Sequence, residues 1–149
     1  HTLRSRKSLK RVYERRTREH WENEWLSKPN EYKRTRVWLP IPDHKVSGRL
    51  ITQSRNHLSS CIQWITGFCN LMRHRHKKNN STSDSCRLCG ESPETPEHLS
   101  FYCPRLMQKR VNCFKTNFGN APWTVTGLVK FVTSNTVQEL LKDDNIYNM

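Results

Sequence analysis

The chain has 149 residues and a formal net charge of +13, with 26 Lys and Arg residues against 13 Asp and Glu residues. Leu, Ile, Val and Phe supply only 31 residues, about 21%, a share typical of thinly cored chains that need a disulfide or a metal. No segment approaches the roughly 20 apolar residues of a membrane span, so we expect no membrane association. The basic excess predicts a polyanionic partner, most commonly nucleic acid, with a solvated basic surface as the alternative.

The first 20 residues and the six cysteines indicate the cellular compartment in which the protein is expected. Residues 1–20 are basic and contain no apolar run, so they do not resemble a secretory signal peptide. We therefore expect an intracellular protein of the nucleus or cytoplasm, whose thiolates bind metal rather than form disulfides. Because the first residue is His1 rather than Met, we also expect a fragment or a processed chain.

Residues 1–28 predict a basic N-terminal helix. Apolar residues recur at helical spacing from Leu9 to Leu26, with Ser8 as the predicted N-cap and Pro29 just beyond the end. Three residues of the basic face are candidate contacts to nucleic-acid phosphates: Arg11, Arg15 and Arg18. A solvated helix face is the alternative interpretation of these arginines.

The next two segments are predicted to be a connection and a core helix. Residues 29–47 contain three prolines and no hydrophobic period, so they predict an extended, proline-rich connection. Residues 48–72 predict a core helix region. Its helix begins after Ser47, carries apolar and small side chains on one face as far as Ile65, and stops at Gly67.

Residues 73–85 predict a basic polar loop immediately before a group of cysteines. Its first half alternates arginine, histidine and lysine, and its second half is rich in Asn and Ser. Such runs are usually solvated. Their position beside the cysteines nevertheless makes four residues candidate contacts to nucleic acid: Arg73, Arg75, Lys77 and Lys78.

Residues 86–104 carry the most specific chemical pattern in the chain, a predicted zinc knuckle. Cys86 and Cys89 are separated by two residues, His98 follows after eight more, and Cys103 after another four. Three thiolates and one imidazole can close a tetrahedron around Zn²⁺. Because four protein ligands leave no open position for a substrate, the predicted zinc is structural.

The local sequence supports this turn and helix arrangement, although alternatives remain. Gly90 allows the backbone to fold beneath a metal, while Thr95 and Pro96 are typical of the cap and first residue of a helix carrying the histidine. The alternatives are two buried free thiols beside a helix-capping histidine, or a disulfide between Cys86 and Cys89. The remaining cysteines are predicted to be buried free thiols: Cys61, Cys69 and Cys113.

Residues 105–149 predict C-terminal helices. The first begins at Pro104 and continues to Phe118, and two short helices follow over residues 124–132 and 136–141. A small hairpin at the cysteines is the one expected exception to helical structure. The predicted fold is therefore mostly α, a small helical domain built around the CCHC zinc knuckle.

A catalytic function finds little support in the sequence. The one tight acidic cluster is predicted to be solvated or to supply favourable charge near a helix N-terminus, and consists of Glu91, Glu94 and Glu97. The chain contains no glycine-rich phosphate loop and no nucleophile–base motif, so we expect no catalytic residues and no enzymatic activity in this chain. A small metal-dependent hydrolase that uses the three glutamates is the remaining enzymatic alternative.

The order of these features resembles the C-terminal zinc-binding tail of non-LTR (LINE-type) retrotransposon polyproteins, over roughly residues 8–115. The matching elements are Trp21-x3-Trp25, the Thr66-Gly67 turn, the cluster Cys86, Cys89, His98 and Cys103, the Glu94-Thr95 step, and Cys103-Pro104-Arg105. The usual Thr-Gly-His pattern is not met, because Phe68 follows Gly67.

The resemblance implies a zinc-structured module that helps a reverse transcriptase hold its template RNA or target DNA. It implies no polymerase, ribonuclease or endonuclease activity for this chain, because the motifs of those activities are absent from the sequence. The alternative is an interaction or scaffolding module that docks onto the upstream polymerase or ribonuclease H domain of the same polyprotein.

Overall fold

A computed structural model describes residues 5–78, 83–115 and 123–142 of the chain. It divides into two compact units, His1–His44 and Lys45–Met149. The helices are α1 (Arg6–Ser27), α2 (Lys33–Trp38), α3 (His44–Ile51), α4 (Arg55–Thr66), α5 (Met72–Lys77), α6 (Met107–Phe114), α7 (Val125–Val132) and α8 (Asn135–Leu141). A π-helical turn (His98–Tyr102) and a 3-10 turn (Pro104–Leu106) precede α6. The predicted mostly helical fold is confirmed.

Helix α1 in the first unit is long but buries none of its residues. It begins earlier than predicted, because the hydroxyl of Ser5 accepts a hydrogen bond from the backbone N–H of Ser8 at 3.2 Å. Ser5 is therefore the N-cap, and the prediction of Ser8 as the cap is wrong. With no buried face, α1 presents its charges to solvent.

The prediction of an extended connection over residues 29–47 is wrong, because α2 lies within it and α3 begins there. The physical reason is a cluster around Trp25. Its ring stacks on Tyr32 at a centroid distance of 6.1 Å, and the guanidinium of Arg36 in α2 lies 3.8 Å from its centroid. The indole N–H of Trp25 also donates to the carbonyl of Leu39 at 3.1 Å. These contacts hold α2 against the end of α1.

The predicted core helix of residues 48–72 is two helices, α3 and α4. The break occurs because the Ser54 hydroxyl accepts from the N–H of His57 at 3.3 Å and so caps a new helix. The predicted stop at Gly67 is confirmed, since this residue has a φ of 80° in the left-handed region that glycine tolerates.

Helix α7 is the centre of the second unit and packs against α4, α6 and α8. Phe131 of α7 lies edge-on to Trp64 of α4 at 6.0 Å and packs on Phe114 of α6 at 5.4 Å. The Trp64 indole donates to the hydroxyl of Ser100 at 2.8 Å, which connects this core to the π-helical turn. The small hydrophobic core therefore reaches the segment that carries His98 and Cys103.

The predicted basic loop of residues 73–85 is also partly wrong, because α5 occupies its beginning. The N–H of Met72 donates to a carboxylate oxygen of Glu94 at 3.1 Å, so a distant side chain stabilises the first turn of the helix. The C-terminal helices are confirmed in outline. Pro104 opens the 3-10 turn before α6, and the hydroxyl of Thr124 caps α7.

The predicted continuation of the α6 helix to Phe118 is wrong, because the helix ends at Phe114 and its C-cap, Lys115, has a φ of 61° in the left-handed region. The segment after Lys142 lies outside the described residues. Within the described segments, regular structure other than helix is limited to one antiparallel bridge between Ser85 and Pro93. None of the helices described is both long and apolar enough to cross a membrane.

Gly127 provides a test of the packing between α6 and α7. A Cβ added there would lie 2.6 Å from the carbonyl oxygen of Cys113, which is backbone and cannot move aside easily. We expect Gly127→Ala to lower the free energy of unfolding by about 1–3 kcal/mol, measured by denaturant titration.

Gly48 in α3 is the matched control, because a Cβ there meets nothing within 4 Å. Gly48→Ala should leave stability unchanged or raise it by about 0.5–1 kcal/mol. Equal effects of the two substitutions would contradict the close approach of α6 and α7.

Candidate metal centre

The four predicted metal ligands converge in the structure. One ligand atom from each of Cys86, Cys89, His98 and Cys103 lies within 4.8 Å of all the others. The Cys89 sulfur is 3.2 Å from Nε2 of His98. All six cysteines are free, so the alternative of a disulfide between Cys86 and Cys89 is not supported. The cluster could hold a metal ion.

A tight turn places the first two cysteines on the same side of the backbone. The N–H of Gly90 donates to the carbonyl of Cys86 at 2.8 Å, and Gly90 has a φ of 72°. The N–H of Cys86 donates to the carbonyl of Ser92 at 2.8 Å, beside the bridge described above. A residue with a Cβ would be strained at position 90, so the glycine permits the turn.

The π-helical turn places the second pair of ligands. The hydroxyl of Thr95 accepts from the N–H of His98 at 3.0 Å, which confirms the predicted cap. The N–H of Cys103 then donates to the carbonyl of His98 at 2.7 Å, five residues back along the chain. This wide turn brings the thiol of Cys103 and the imidazole of His98 to the same cluster.

Burial controls the protonation of the ligands. It raises the pKa of the Cys86 thiol to about 12 and also raises the pKa of Cys103. Burial acts in the same direction on Cys89, but hydrogen bonds from the N–H of Glu91 and from neighbouring thiols outweigh it, so that pKa is lowered. Burial and the positive charge of Arg110 lower the pKa of His98, which favours the neutral imidazole that metals bind. Metal binding must therefore release thiol protons.

Arg110 is a buried cation beside this cluster that the sequence analysis did not identify. It is 4% exposed and donates to the carbonyls of Leu99 (3.4 Å) and Cys103. A divalent ion with three thiolates and a neutral imidazole has a formal charge of −1, which a neighbouring guanidinium offsets. The available signal was its spacing, because Arg110 lies four residues after Leu106 and four before Phe114, on the apolar face of the helix.

Glu94 lies in an environment that differs from the predicted one. It was predicted to be solvated, but it is 0% exposed. One carboxylate oxygen accepts from the Arg87 backbone N–H at 2.9 Å, and the other accepts from the Arg87 guanidinium at 2.7 Å and from the N–H of Met72. Glu94 therefore links the tight turn of residues 86–90, called the knuckle turn below, to the beginning of α5.

Two arginines from different segments meet the carbonyls at the end of α8. Arg87 donates to the carbonyl of Leu140 at 2.6 Å, and Arg75 donates to the carbonyls of Leu140 (3.4 Å) and Lys142. Cations at a helix C-terminus satisfy its unpaired carbonyls and interact favourably with its dipole. Arg75 is 8% exposed, so its predicted role as a phosphate contact is wrong.

The other predicted nucleic-acid contacts remain at the surface. Lys77 and Lys78 are exposed at the end of α5, and Arg73 is half-buried in an ion pair with Asp84 at 2.6 Å. The Arg73 guanidinium lowers the pKa of the Asp84 carboxyl. In the N-terminal unit, three residues are exposed on α1: Arg11, Arg15 and Arg18.

The remaining cysteines do not belong to the cluster. Cys61 is buried in α4, where burial raises its thiol pKa to about 11, and Cys69 is also buried. Cys113 is half-buried on α6, where burial raises its pKa despite nearby lysines. The predicted burial is confirmed for Cys61 and Cys69.

Comparison of the chain with models of known protein families, with curated proteins and with solved structures gives no match.

The role of Glu94 can be tested by removing its charge. Glu94→Gln removes the counter-ion of the Arg87 guanidinium and replaces an acceptor oxygen of the buried side chain with an NH2 group, which faces the donors that the carboxylate now accepts from. We expect the free energy of unfolding to fall by about 2–4 kcal/mol in a denaturant titration.

Glu139 is the matched control, because its ion pair with Lys142 is exposed at both partners. Glu139→Gln should change stability by less than about 0.5 kcal/mol. A Glu94→Gln protein as stable as this control would show that the buried carboxylate does not support the knuckle.

Proposed function

We propose that this chain is a non-catalytic, zinc-structured module that binds nucleic acid. The observation that carries the proposal is the convergence of three sulfur donors and one nitrogen donor within 4.8 Å of one another. Soft thiolates combined with imidazole select zinc among the common biological cations, in the tetrahedral geometry that four ligands allow. Four protein ligands complete the coordination of such an ion, so its role is structural rather than catalytic.

The energetic need for a metal supports zinc as the occupant. Structural zinc contributes on the order of 10–16 kcal/mol in small zinc-finger peptides near neutral pH. A domain of ordinary size has a net stability of only about 5–15 kcal/mol. Besides Trp64 and Phe131, the buried apolar side chains described in the second unit are mainly leucine, valine and cysteine. Bound zinc would therefore add a contribution comparable with the net stability of the unit.

The basic face of α1 supports nucleic acid as the partner. Lys7, Arg11, Arg15 and Arg18 follow one another at spacings of three or four residues, which places them on one side of the helix. None of the four has an ion pair or a hydrogen-bonded side-chain partner among the residues that the structure describes. Like charges at this spacing destabilise a helix by a few tenths of a kcal/mol per pair. A polyanion such as RNA or DNA removes that repulsion.

We also propose that this chain is part of a longer polyprotein. The cysteine and histidine cluster and the residues that flank it resemble the zinc-binding tail of LINE-type polyproteins. The module would accordingly be part of a retrotransposon reverse transcriptase polyprotein and would help bind template RNA or target DNA. The proposed phosphate contacts of the second unit are Arg73, Lys77 and Lys78, in addition to those of α1, and they do not include the buried Arg75.

Docking onto an upstream domain is the second candidate function. Two large apolar side chains of the second unit favour it, because Ile51 is 74% exposed and Phe68 is 73% exposed. A module that only docks would bind neither RNA nor DNA in isolation, even at low salt.

Metal content tests the zinc proposal directly. The purified protein should hold one zinc ion per chain, and Cys86→Ser should lose it, as measured by elemental analysis. Chelation should also lower the thermal midpoint, because the metal's binding energy contributes to folding. Cys113→Ser is the control and should keep one zinc, since that cysteine lies outside the cluster. A wild-type protein purified without chelator and free of zinc would overturn the proposal.

The salt dependence of binding tests the α1 contacts. Replacing Arg11, Arg15 and Arg18 with Gln should reduce the magnitude of the slope of log K against log salt by roughly 2–3. Each lost phosphate contact lowers that magnitude by about 0.7–0.9. Filter binding to RNA and DNA at several salt concentrations measures this slope.

A control variant with the same loss of charge distinguishes contacts from net charge. It replaces three exposed cations of the second unit with Gln: Arg49, Arg55 and Lys130. This variant should change the slope little. If both triple variants change it equally, α1 is not the binding face.

A further inference from the structure

Two grooves follow one another along helix α1. The first has a volume of about 480 Å³ and is lined by Ser5, Lys7, Ser8, Arg11, Val12 and Arg15. The second has a volume of about 460 Å³ and is lined by Tyr13, Glu14, Thr17, Arg18, Trp21 and His44. The first groove is basic, whereas the second contains two aromatic rings.

The two rings of the second groove are exposed on one side of the helix. Tyr13 is 67% exposed and Trp21 is 50% exposed. Thr17 lies halfway between them, four residues from each, so the two rings share a helix face. Eight residues of helix separate the rings by about 12 Å along the axis. A small side chain between two large ones leaves open space beside each ring.

Trp25, one turn further along α1, differs from Tyr13 and Trp21 because its side chain contacts other residues of the unit. Its ring contacts Tyr32 and Arg36, and its indole N–H is bonded to backbone carbonyls. Among the residues that the structure describes, Tyr13 and Trp21 have no ring stacking, cation–π or hydrogen-bonding partner of this kind. Their exposed surfaces therefore contribute little to the fold of the unit.

The charge around these rings favours an anionic occupant that carries flat groups. Arg18 lines the aromatic groove, and Arg11 and Arg15 line the adjoining basic one. The one carboxylate of the aromatic groove, Glu14, is 3.9 Å from the ammonium of Lys10, which reduces its repulsion of an anion. Cationic side chains beside exposed rings are the combination by which proteins bind single strands, with phosphates on the cations and bases on the rings.

We infer that Tyr13 and Trp21 form a stacking site for unpaired bases, and that α1 therefore binds single-stranded RNA or DNA in preference to a duplex. The inference rests on the proposed nucleic-acid function and specifies its ligand. In a duplex the bases are stacked on one another, so the two rings have no base surface to contact. The arginines bind the phosphates of either form.

An oligonucleotide without bases separates stacking from charge. The full chain is titrated with a 12-nucleotide thymidine oligomer, with an abasic oligomer of the same sugar–phosphate backbone, and with a 12-base-pair duplex, all at one salt concentration. Each stacked base contributes about 1–3 kcal/mol, so two rings should favour the thymidine oligomer over the abasic one by roughly 30-fold or more.

Substitution of the two rings tests whether the preference for the thymidine oligomer comes from Tyr13 and Trp21. Tyr13→Ala with Trp21→Ala should reduce the ratio to near 1 and leave the affinity for the abasic oligomer unchanged. Tyr13→Phe with Trp21→Phe should keep most of the preference, because the flat surfaces remain. Tyr102→Ala is the control, since Tyr102 is 60% exposed in the second unit. Circular dichroism should show unchanged helix content in every variant, because neither α1 ring is buried.

The outcomes distinguish the two proposals. Equal affinity for the thymidine and abasic oligomers, or a preference that survives the double alanine variant, overturns the stacking site and leaves phosphate binding intact. Absence of binding to any of the three ligands at low salt overturns the proposed function as well. Photo-cross-linking of a 5-iodouridine oligomer provides a second measurement, which supports the site if it marks residue 13 or 21 and contradicts it if it marks only the second unit.

Discussion

The buried carboxylate of Glu94 holds the second unit of this chain together. Through Arg87 and Met72 it joins the knuckle turn to α5, and Arg87 continues to the end of α8 through the carbonyl of Leu140. A buried carboxylate is costly unless every lone pair is satisfied, and here both oxygens accept hydrogen bonds. Two of the four candidate ligands, Cys86 and Cys89, therefore lie on a turn that is already bonded to α5 and α8, instead of on an isolated loop.

Features that depend on nearby residues could be predicted from the sequence, and features that depend on distant partners could not. The ligand spacing, the cap at Thr95 and the stop at Gly67 each follow from a few adjacent residues. Arg75 is bonded to the end of α8, 65 residues away in sequence, and Glu94 is bonded to the start of α5, 22 residues away, so their local surroundings indicated only solvated charges. The Trp25 cluster was missed for the same reason, and with it α2.

The arginines of this chain fall into two physical classes that composition alone does not separate. Arg75 and Arg110 are buried against backbone carbonyls and contribute to folding. The arginines of α1 are exposed, and no side chain of that helix is fully buried. The net charge of +13 therefore overstates the charge that a partner can contact. The first half of α1 carries a dense group of these exposed cations, and others are spread over the second unit, among them Arg49, Lys77 and Lys130.

The absence of any buried side chain on α1 also has a consequence for its dynamics. Tertiary packing supplies most of the stability of helices in proteins, whereas α1 has its own backbone bonds, one N-terminal cap and the contacts of Trp25 near its other end. Its first half should therefore open far more often than α7, whose side chains fill the core, and its amide protons should exchange with solvent orders of magnitude faster. Anions bound to the arginines of α1 would slow that exchange.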